Sequence, residues 1–434
     1  MASSKRVGIL CGGGPAPGMN SVIGAATIRS VLGGVDVLGI HDGFGRLMRG
    51  DIDCATRLSI EDVSRIHFAG GSQLGTSRAN PTRDPQHMQA VSDTLHQLGI
   101  NALITIGGDD TAYSVMRLAD HAGGWLQVVH VPKTIDNDLD LPHGIPTFGF
   151  QTARHVGVGL VKNLMTDAKT TGRWYLIVAM GRTAGHLALG IGKAAGATLT
   201  IISEEFPEAQ SQGGGKVRLE HLTDIVLGAI VKRKALHHDD GTVILAEGLV
   251  EQMASEDLEA FGQLERDEHD HIRLAEVNLG DVLRTHLRSR LAEVGLHIGL
   301  VSKDIGYELR CADPIPFDME YTRDLGYCAA QYVLDGGTNA MVTLVNGHFV
   351  SMPFDQMLDP QTRRTRVRLV DPHSEHYRIA RGYMVRLEKQ DFEDEGTLRT
   401  LASTIGQQPS EFEARFKYLV ANELSDPARA RAGG

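Results

Sequence analysis

Lys133, Asp136 and Asp138 stand within nine residues, VPKTIDNDL (131–139), directly after an apolar run. Phosphoryl transfer needs a cation on the developing charge and a carboxylate that takes the acceptor hydroxyl's proton, and this stretch carries both. A hydrated acidic turn accounts for Asn137 and Asp138 equally well, so spacing alone leaves the two readings level. The stretch IGGDDT (106–111) closes a second apolar run, NALITI. A glycine turn between strand and helix offers backbone N–H groups to a phosphate, and bare carboxylates there would repel it. Asp109 has a place if it holds a Mg2+ ion that bridges phosphate oxygens, because the cation reverses the local field. Asp110 has no place on these grounds.

Two further stretches belong with them. CGGGPAPGMN (11–20) puts three glycines after the first apolar run and before a helical pattern, where ligands approach the carboxyl ends of strands. It is neither GxGxxG, since Pro17 falls on the third glycine position, nor a P-loop, since Gly18 is followed by Met19-Asn20. A tight turn with Pro17 near the helix start explains one or two glycines but not three in a row. In AMGRTAGHLAL (179–189), Arg182 follows a strand end and can fork onto a phosphoryl group, although a lone arginine at such a place is commonly just solvated.

Such groups act only when rigid elements hold them, and the surrounding pattern alternates strand and helix. Strands are predicted at Val7 to Leu10, Val35 to Ile40, Ala102 to Ile106 and Leu126 to Val131, with helices at Met19 to Leu32, Asp84 to Leu98 and Thr111 to His121. In the second helix Met88, Val91, Leu95 and Leu98 form one stripe of 3.6-residue period, so one face packs on a sheet. Buried runs at 175–180, 242–247 and 340–345 continue the pattern, with helical stretches at 150–168, 184–196, 218–235, 274–293 and 321–334. Parallel sheets need cover on both faces, and the chain is too long for one such sheet. The expected fold is α/β: two doubly wound, mostly parallel domains facing an active-site cleft.

Composition narrows the partners. The chain has 434 residues, 42% hydrophobic, with 43 basic against 54 acidic side chains and a formal net charge of −11. That balance gives no general attraction to nucleic acid or to an anionic membrane. Cys11, Cys54, Cys311 and Cys328 show no CxxC spacing and read as small core residues with free thiols in a reducing cytoplasm. No apolar run reaches the ~18 residues of a membrane span. The nineteen histidines, among them His237-His238 and the HDH at 269–271, lack an i, i+4 ligand set. The basic runs VKRK (231–234) and TRRTRVR (362–368) read as solvated faces in an acidic protein.

Taken in order, GGGPAPGMN, GGDDT, PKTIDND, MGRTAG and GYELRCADPIPFD (306–318) resemble the phosphofructokinase family over roughly residues 7 to 350. Members that use ATP carry glycine where this chain has Asp110 and Lys133, and the pair resembles the pyrophosphate-dependent branch. The resemblance implies transfer from diphosphate to the 1-hydroxyl of fructose 6-phosphate, with Mg2+ on Asp109. It makes Asp110 the residue that excludes a nucleotide, and Lys133 and Arg182 the cations on the transferring group. Asp136 becomes the base, with Thr134, Ile135 and Asp138 beside it, while Gly13, Gly14, Arg78 and Lys133 hold diphosphate.

For the sugar phosphate the resemblance implies Met180, Gly181, Arg182 and Glu247 around the ring, and Tyr307, Arg310 and Lys303 toward the 6-phosphate. Arg173 matches an arginine that crosses from a neighbouring subunit, which implies a homo-oligomer, taken as a dimer. The corresponding domains are 1–148 with about 310–370 for diphosphate and Mg2+, and 149–309 with C-terminal helices at about 371–434 for fructose 6-phosphate. An effector-site arginine is replaced by Gly24, which implies no ADP or phosphoenolpyruvate control. The rivals are an ATP-dependent phosphofructokinase and a catalytically silent sugar-phosphate-binding subunit; the latter is disfavoured because Asp109, Asp136 and Arg182 are all present.

Overall fold

Apolar runs that are buried along their whole length call for sheets covered on both faces, and the chain builds two of them. The computed structural model describes residues 5–206, 216–262, 265, 277–361 and 365–421. The HDH at 269–271, the start (274–276) of one predicted helix, Arg363-Arg364 and residues 422–434 lie outside these. The chain divides into two units: the described residues of 1–156 and 307–368, and those of 157–265, 272–306 and 369–434.

The first unit holds an eight-stranded sheet made of β1 (Arg6–Cys11), β2 (Asp36–Ile40), β3 (Ala55–Arg57), β4 (Ala102–Gly107), β5 (Gln127–Thr134), β6 (Phe148–Gly149), and the later strands β11 (Ala340–Val345) and β12 (His348–Pro353). The order is β12-β11-β5-β4-β1-β2-β3, with β6 pairing to β5, and only the two edge pairs, β2–β3 and β11–β12, are antiparallel. β1 crosses to β2 on one side through the helix Met19–Leu32, and the chain then returns to β4 on the other side of β1. That reversal is a topological switch point, and right-handed crossovers carry the helices on its two arms to opposite faces. Cys11 is the ladder partner of Ile106, and Gly107 of Pro132, so the carboxyl ends of β1, β4 and β5 finish level.

The second unit holds a four-stranded, wholly parallel sheet of β7 (Arg173–Ala179), β8 (Leu199–Ile201), β9 (Gly241–Ala246) and β10 (Gly299–Ile305), in the order β10-β7-β9-β8. Every residue of β9 is buried, as is every residue of β7 after Arg173. Short helices at Glu375–Gly382, Glu395–Thr404 and Pro409–Phe416 follow in the same unit, where Phe412 and Phe416 are fully buried. Among the described residues no helix is long and apolar enough to cross a membrane.

Among the described residues the predicted elements are present, and the differences have physical causes. β5 runs on to Thr134 because Lys133 and Thr134 find partners in Phe148 and Gly149, a pairing that an apolar run cannot announce. The helix after β4 starts at Asp109, not Thr111, which places both aspartates in its first turn, where the helix dipole favours them. The helix expected from 321 begins at Pro316. The strands β3, β6, β8, β10 and β12 carry too short or too polar a pattern to stand out. The cysteine reading needs one correction, since Cys11 and Cys54 are buried but Cys311 is exposed.

Asp318, with 0% exposure, ties two helix starts together: its carboxylate accepts from the Gly149 N–H at 2.9 Å, the Thr152 N–H at 2.7 Å and the Thr152 hydroxyl at 2.6 Å. Removing it strands buried donors, at a cost of roughly 1–3 kcal/mol. Asp318→Ala is expected to lower the thermal midpoint by several degrees, read by circular dichroism, and an unchanged midpoint would refute the capping role.

Candidate active site

At the level carboxyl ends of β1, β4 and β5, three turns meet in the first unit. The glycine turn after β1 is held from its back: the Gly12 N–H donates to Ile106 O at 2.8 Å and the Gly13 N–H to Ser77 O at 2.8 Å, while the Thr76 hydroxyl donates to Gly13 O. Thr111 explains two of the glycines, since a β-carbon at Gly12 or at Gly107 would come within 2.4 Å of its side chain. Arg78 follows this support and is exposed.

Two cations stand over the turn. The Lys133 ammonium donates to Gly14 O at 2.6 Å, and a β-carbon at Gly14 would lie 3.3 Å from the Arg310 guanidinium carbon. Lys133 is only 6% exposed. Burial, then the neighbouring Arg310 charge, push its pKa down to about 8, against the opposite pull of Asp136. Arg310, expected at the sugar 6-phosphate, therefore lies beside Gly14 and Lys133, and Tyr307 stacks under it at 5.6 Å.

The carboxylates gather on the next turns. Asp109 and Asp110 open their helix behind Gly108, which offers no side-chain cap. The Asp136 N–H donates to the Thr134 hydroxyl at 3.0 Å, Ile135 is buried, and Asn137 takes a left-handed φ of 57°. Burial, then the charges of Asp136 and Asp109, hold the Asp138 carboxyl well above the usual range, so these three carboxylates share one neighbourhood. Among the described residues no three His, Cys, Asp or Glu side chains converge tightly enough to hold a metal unaided. Mg2+ does not require that, because it commonly takes one or two carboxylates, substrate phosphates and water. The oxygen donors present fit that mode.

His130 escaped the sequence reading, although a histidine inside the apolar run VVHVP was a visible signal. It is fully buried between Thr105, whose hydroxyl is 2.8 Å from Nδ1, and Gly107 O, 3.0 Å from Nε2. Burial holds its pKa at about 3, so it is neutral. A carbonyl can only accept, so Nε2 carries the proton and Nδ1 accepts from Thr105. The pair braces the Gly107-Gly108 turn that presents Asp109.

In the second unit the ends of β7 and β9 meet, with Ala179 opposite Ala246. Glu247 accepts from the Gly181 N–H at 2.9 Å, and Met180 N–H donates to Ile305 O at 3.2 Å, so Met180, Gly181, Arg182 and Glu247 are brought together. Gly181 has a φ of 144°, which favours glycine. Lys303 is exposed and sits within β10 opposite Ile177, not at the strand end. Arg173 opens β7 at the far end from Met180, ~20 Å away at the usual rise per strand residue. It pairs with Asp167 at 3.8 Å, and Asp167 accepts from the Tyr175 hydroxyl at 2.6 Å.

The basic runs need correction. In VKRK, Lys232 is half-buried and reaches Asp391 at 2.7 Å, and Arg233 and Lys234 pair with Asp240 and Asp239. In TRRTRVR, Arg368 binds the Asn137 loop through its guanidinium.

Parallel sheets with a glycine turn, a buried lysine and carboxylates at the strand ends define an α/β protein with the groups that handle phosphate. The chain belongs to the phosphofructokinase family, which residues 6–333 match. It is 51% identical over 426 residues to the pyrophosphate–fructose 6-phosphate 1-phosphotransferase of Thermotoga maritima, covering 97% of this chain and 100% of that one. The enzyme of the same name from Naegleria fowleri is 50% identical over 417 residues, 95% of each chain. A solved pyrophosphate-dependent phosphofructokinase from Nitrosospira multiformis has a TM-score of 0.65 at 16% identity over 93% of each chain, a likeness of fold.

The second-unit cluster can be tested at one atom. A β-carbon at Gly248 would lie 2.2 Å from Arg182 O, so Gly248→Ala must move the Arg182 peptide. Displacements of that size cost roughly 10²-fold in rate. The expected result is such a loss of turnover with an unchanged circular dichroism spectrum; full activity would show that Arg182's position is immaterial.

Proposed function

We propose that this chain is a pyrophosphate-dependent phosphofructokinase, which moves a phosphoryl group from diphosphate to the 1-hydroxyl of fructose 6-phosphate, giving fructose 1,6-bisphosphate and orthophosphate. The observation that carries the choice of donor is the pair Asp110 and Lys133, one in the first turn of the helix after β4 and the other buried over the glycine turn. The relatives of about half identity bear the matching name.

In this reading Gly13 and Gly14 receive diphosphate, with Lys133, Arg78 and Arg310 carrying its charge. Arg310 was expected at the 6-phosphate, and its position beside Gly14 favours a share in the diphosphate as well. Asp110 occupies the place that the α-phosphate of ATP would need. Two unit charges ~4 Å apart at an effective dielectric of about 20 repel by ~4 kcal/mol, or three decades of affinity. Mg2+, held by Asp109 with phosphate oxygens, would supply charge neutralisation of the transferring group when bound.

Asp136 accepts the proton of the sugar 1-hydroxyl, and Thr134 orients it through the Asp136 N–H. Met180, Gly181, Arg182 and Glu247 hold the sugar, and Tyr307 and Lys303 serve its phosphate. An anhydride exchanged for an ester leaves a readily reversible step. Arg173, at the far end of its own strand from Met180, is proposed to serve a partner's site in a homodimer. The exposed free thiol of Cys311 suits a reducing cytoplasm.

Steady-state assays with diphosphate and with ATP, each with Mg2+ and fructose 6-phosphate, test the donor directly. Diphosphate is expected to be the better substrate, and faster turnover with ATP would overturn the assignment. Asp110→Gly is expected to raise ATP use and lower diphosphate use; an unmoved preference would sink the charge argument.

The buried lysine adds a pH signature. With its pKa at about 8 in the free protein, the ammonium is present below that pH and lost above it. The KM for diphosphate should therefore climb as pH rises past about 8, roughly tenfold per unit. Bound diphosphate stabilises the cation, so the basic limb of kcat should lie at higher pH than that of kcat/KM. Coincident limbs would remove Lys133 from the diphosphate site.

A further inference from the structure

The loop that carries Asp136 and Asp138 is held locally by the Asp136 N–H to the Thr134 hydroxyl, and also from farther along the chain. Asn137, between them, adopts a left-handed backbone, which asparagine tolerates better than most residues with a β-carbon but which still favours being pinned. Two elements pin it. The Asn137 side-chain oxygen accepts from the Thr147 N–H at 3.0 Å, and the Thr147 hydroxyl returns to Thr134 O at 2.7 Å. The other clamp comes from far along the chain: Arg368 donates through Nε to Asn137 O at 3.1 Å, through Nη1 to Ile145 O at 2.9 Å, and through Nη2 to the Asn137 side-chain oxygen.

The backbone reinforces the fork. The Arg368 N–H donates to Asp138 O at 2.7 Å, and Val367 bridges antiparallel to Leu139. All three guanidinium nitrogens thus act on one loop, a use that only the planar, divergent donors of arginine allow. Arg368 lies past residues 6–333, which match the family, so the clamp is supplied from outside the matched region.

We infer that Arg368 is a positioning residue for phosphoryl transfer, fixing the Asn137 peptide in its turn and so aiming the carboxylates on either side of it. The inference rests on the reading of Asp136 as the base. In this proposal Arg368 acts on the carboxylates through Asn137 and Ile145.

The test uses the full-length chain with Arg368→Ala, Arg368→Lys and, as a separate control on the base, Asp136→Asn. Arg368→Ala is expected to lose roughly 10²-fold in kcat, as misplaced reacting groups do, while the KM values for diphosphate and fructose 6-phosphate stay nearly unchanged. Arg368→Lys keeps the charge but not the fork and should also lose kcat. Added guanidinium ion should restore turnover to Arg368→Ala and not to Asp136→Asn.

A kcat of Arg368→Ala close to wild type overturns the positioning role, whatever Asp136→Asn does. So does a large rise in the KM for diphosphate with kcat intact, which would make Arg368 a ligand contact, or a lowered kcat that guanidinium does not rescue. Should Arg368→Ala fail to fold, Arg368→Lys decides by the same kcat and KM criteria. Full turnover by Asp136→Asn sinks the base assignment alone, and the role of Arg368 then stands or falls on the kcat of its own variants.

Discussion

The site in the first unit depends on the register of three parallel strands. β1, β4 and β5 bring a glycine turn, an acidic turn and a lysine to one edge only because Cys11 faces Ile106 and Gly107 faces Pro132. A slip of one residue would move Lys133 by ~3.3 Å and turn it to the other face of the sheet. Apolar burial alone enforces this weakly, since strands apolar on both faces look much the same after a slip. Thr105 and His130 supply what the apolar residues cannot. They are ladder partners on β4 and β5 and hydrogen-bond at full burial, so any other register would bury an imidazole and a hydroxyl without partners.

With register set, the charges sort themselves into two groups that are each uncomfortable alone. Lys133 and Arg310 crowd the glycine turn, and burial first, then the Arg310 charge, lowers the pKa of the lysine. Asp109, Asp136 and Asp138 crowd the facing turns, and burial first, then the Asp136 and Asp109 charges, raises the pKa of Asp138. Each group is relieved by the opposite sign of charge, an anion for the first and a cation for the second. The proposed magnesium diphosphate would bring both at once, so that reading is consistent with the electrostatics of these two groups.

Much of this was readable in sequence because it is written in local pattern. The helices at 19–32, 85–97 and 219–235 and the strands ending at 107, 179 and 246 follow from apolar periodicity and glycine punctuation. The glycine turn, the two aspartates and Lys133 could be recognised for the same reason, since they are contiguous motifs at strand ends. What the sequence withheld depended on partners distant along the chain. β5 lengthens by two residues because β6 pairs with them, and Arg310 reaches Gly14 from almost three hundred residues away.

The run at 362–368 shows where such reading must fail. Judged by composition, a short basic stretch in an acidic chain is a solvated face, and for Arg366 that is nearly right: it is exposed and meets Asp140 at 3.8 Å, a surface pair that contributes little. Two residues on, Arg368 is half-buried and donates from all three guanidinium nitrogens to the Asn137 loop. Nothing in the residue type separates the two; Val367 pairs with Leu139, and that single bridge carries the next side chain against the loop. Composition describes the average member of a run, whereas a site is assembled from the member whose backbone happens to be pinned, so the distinction becomes visible only once the pairing is known.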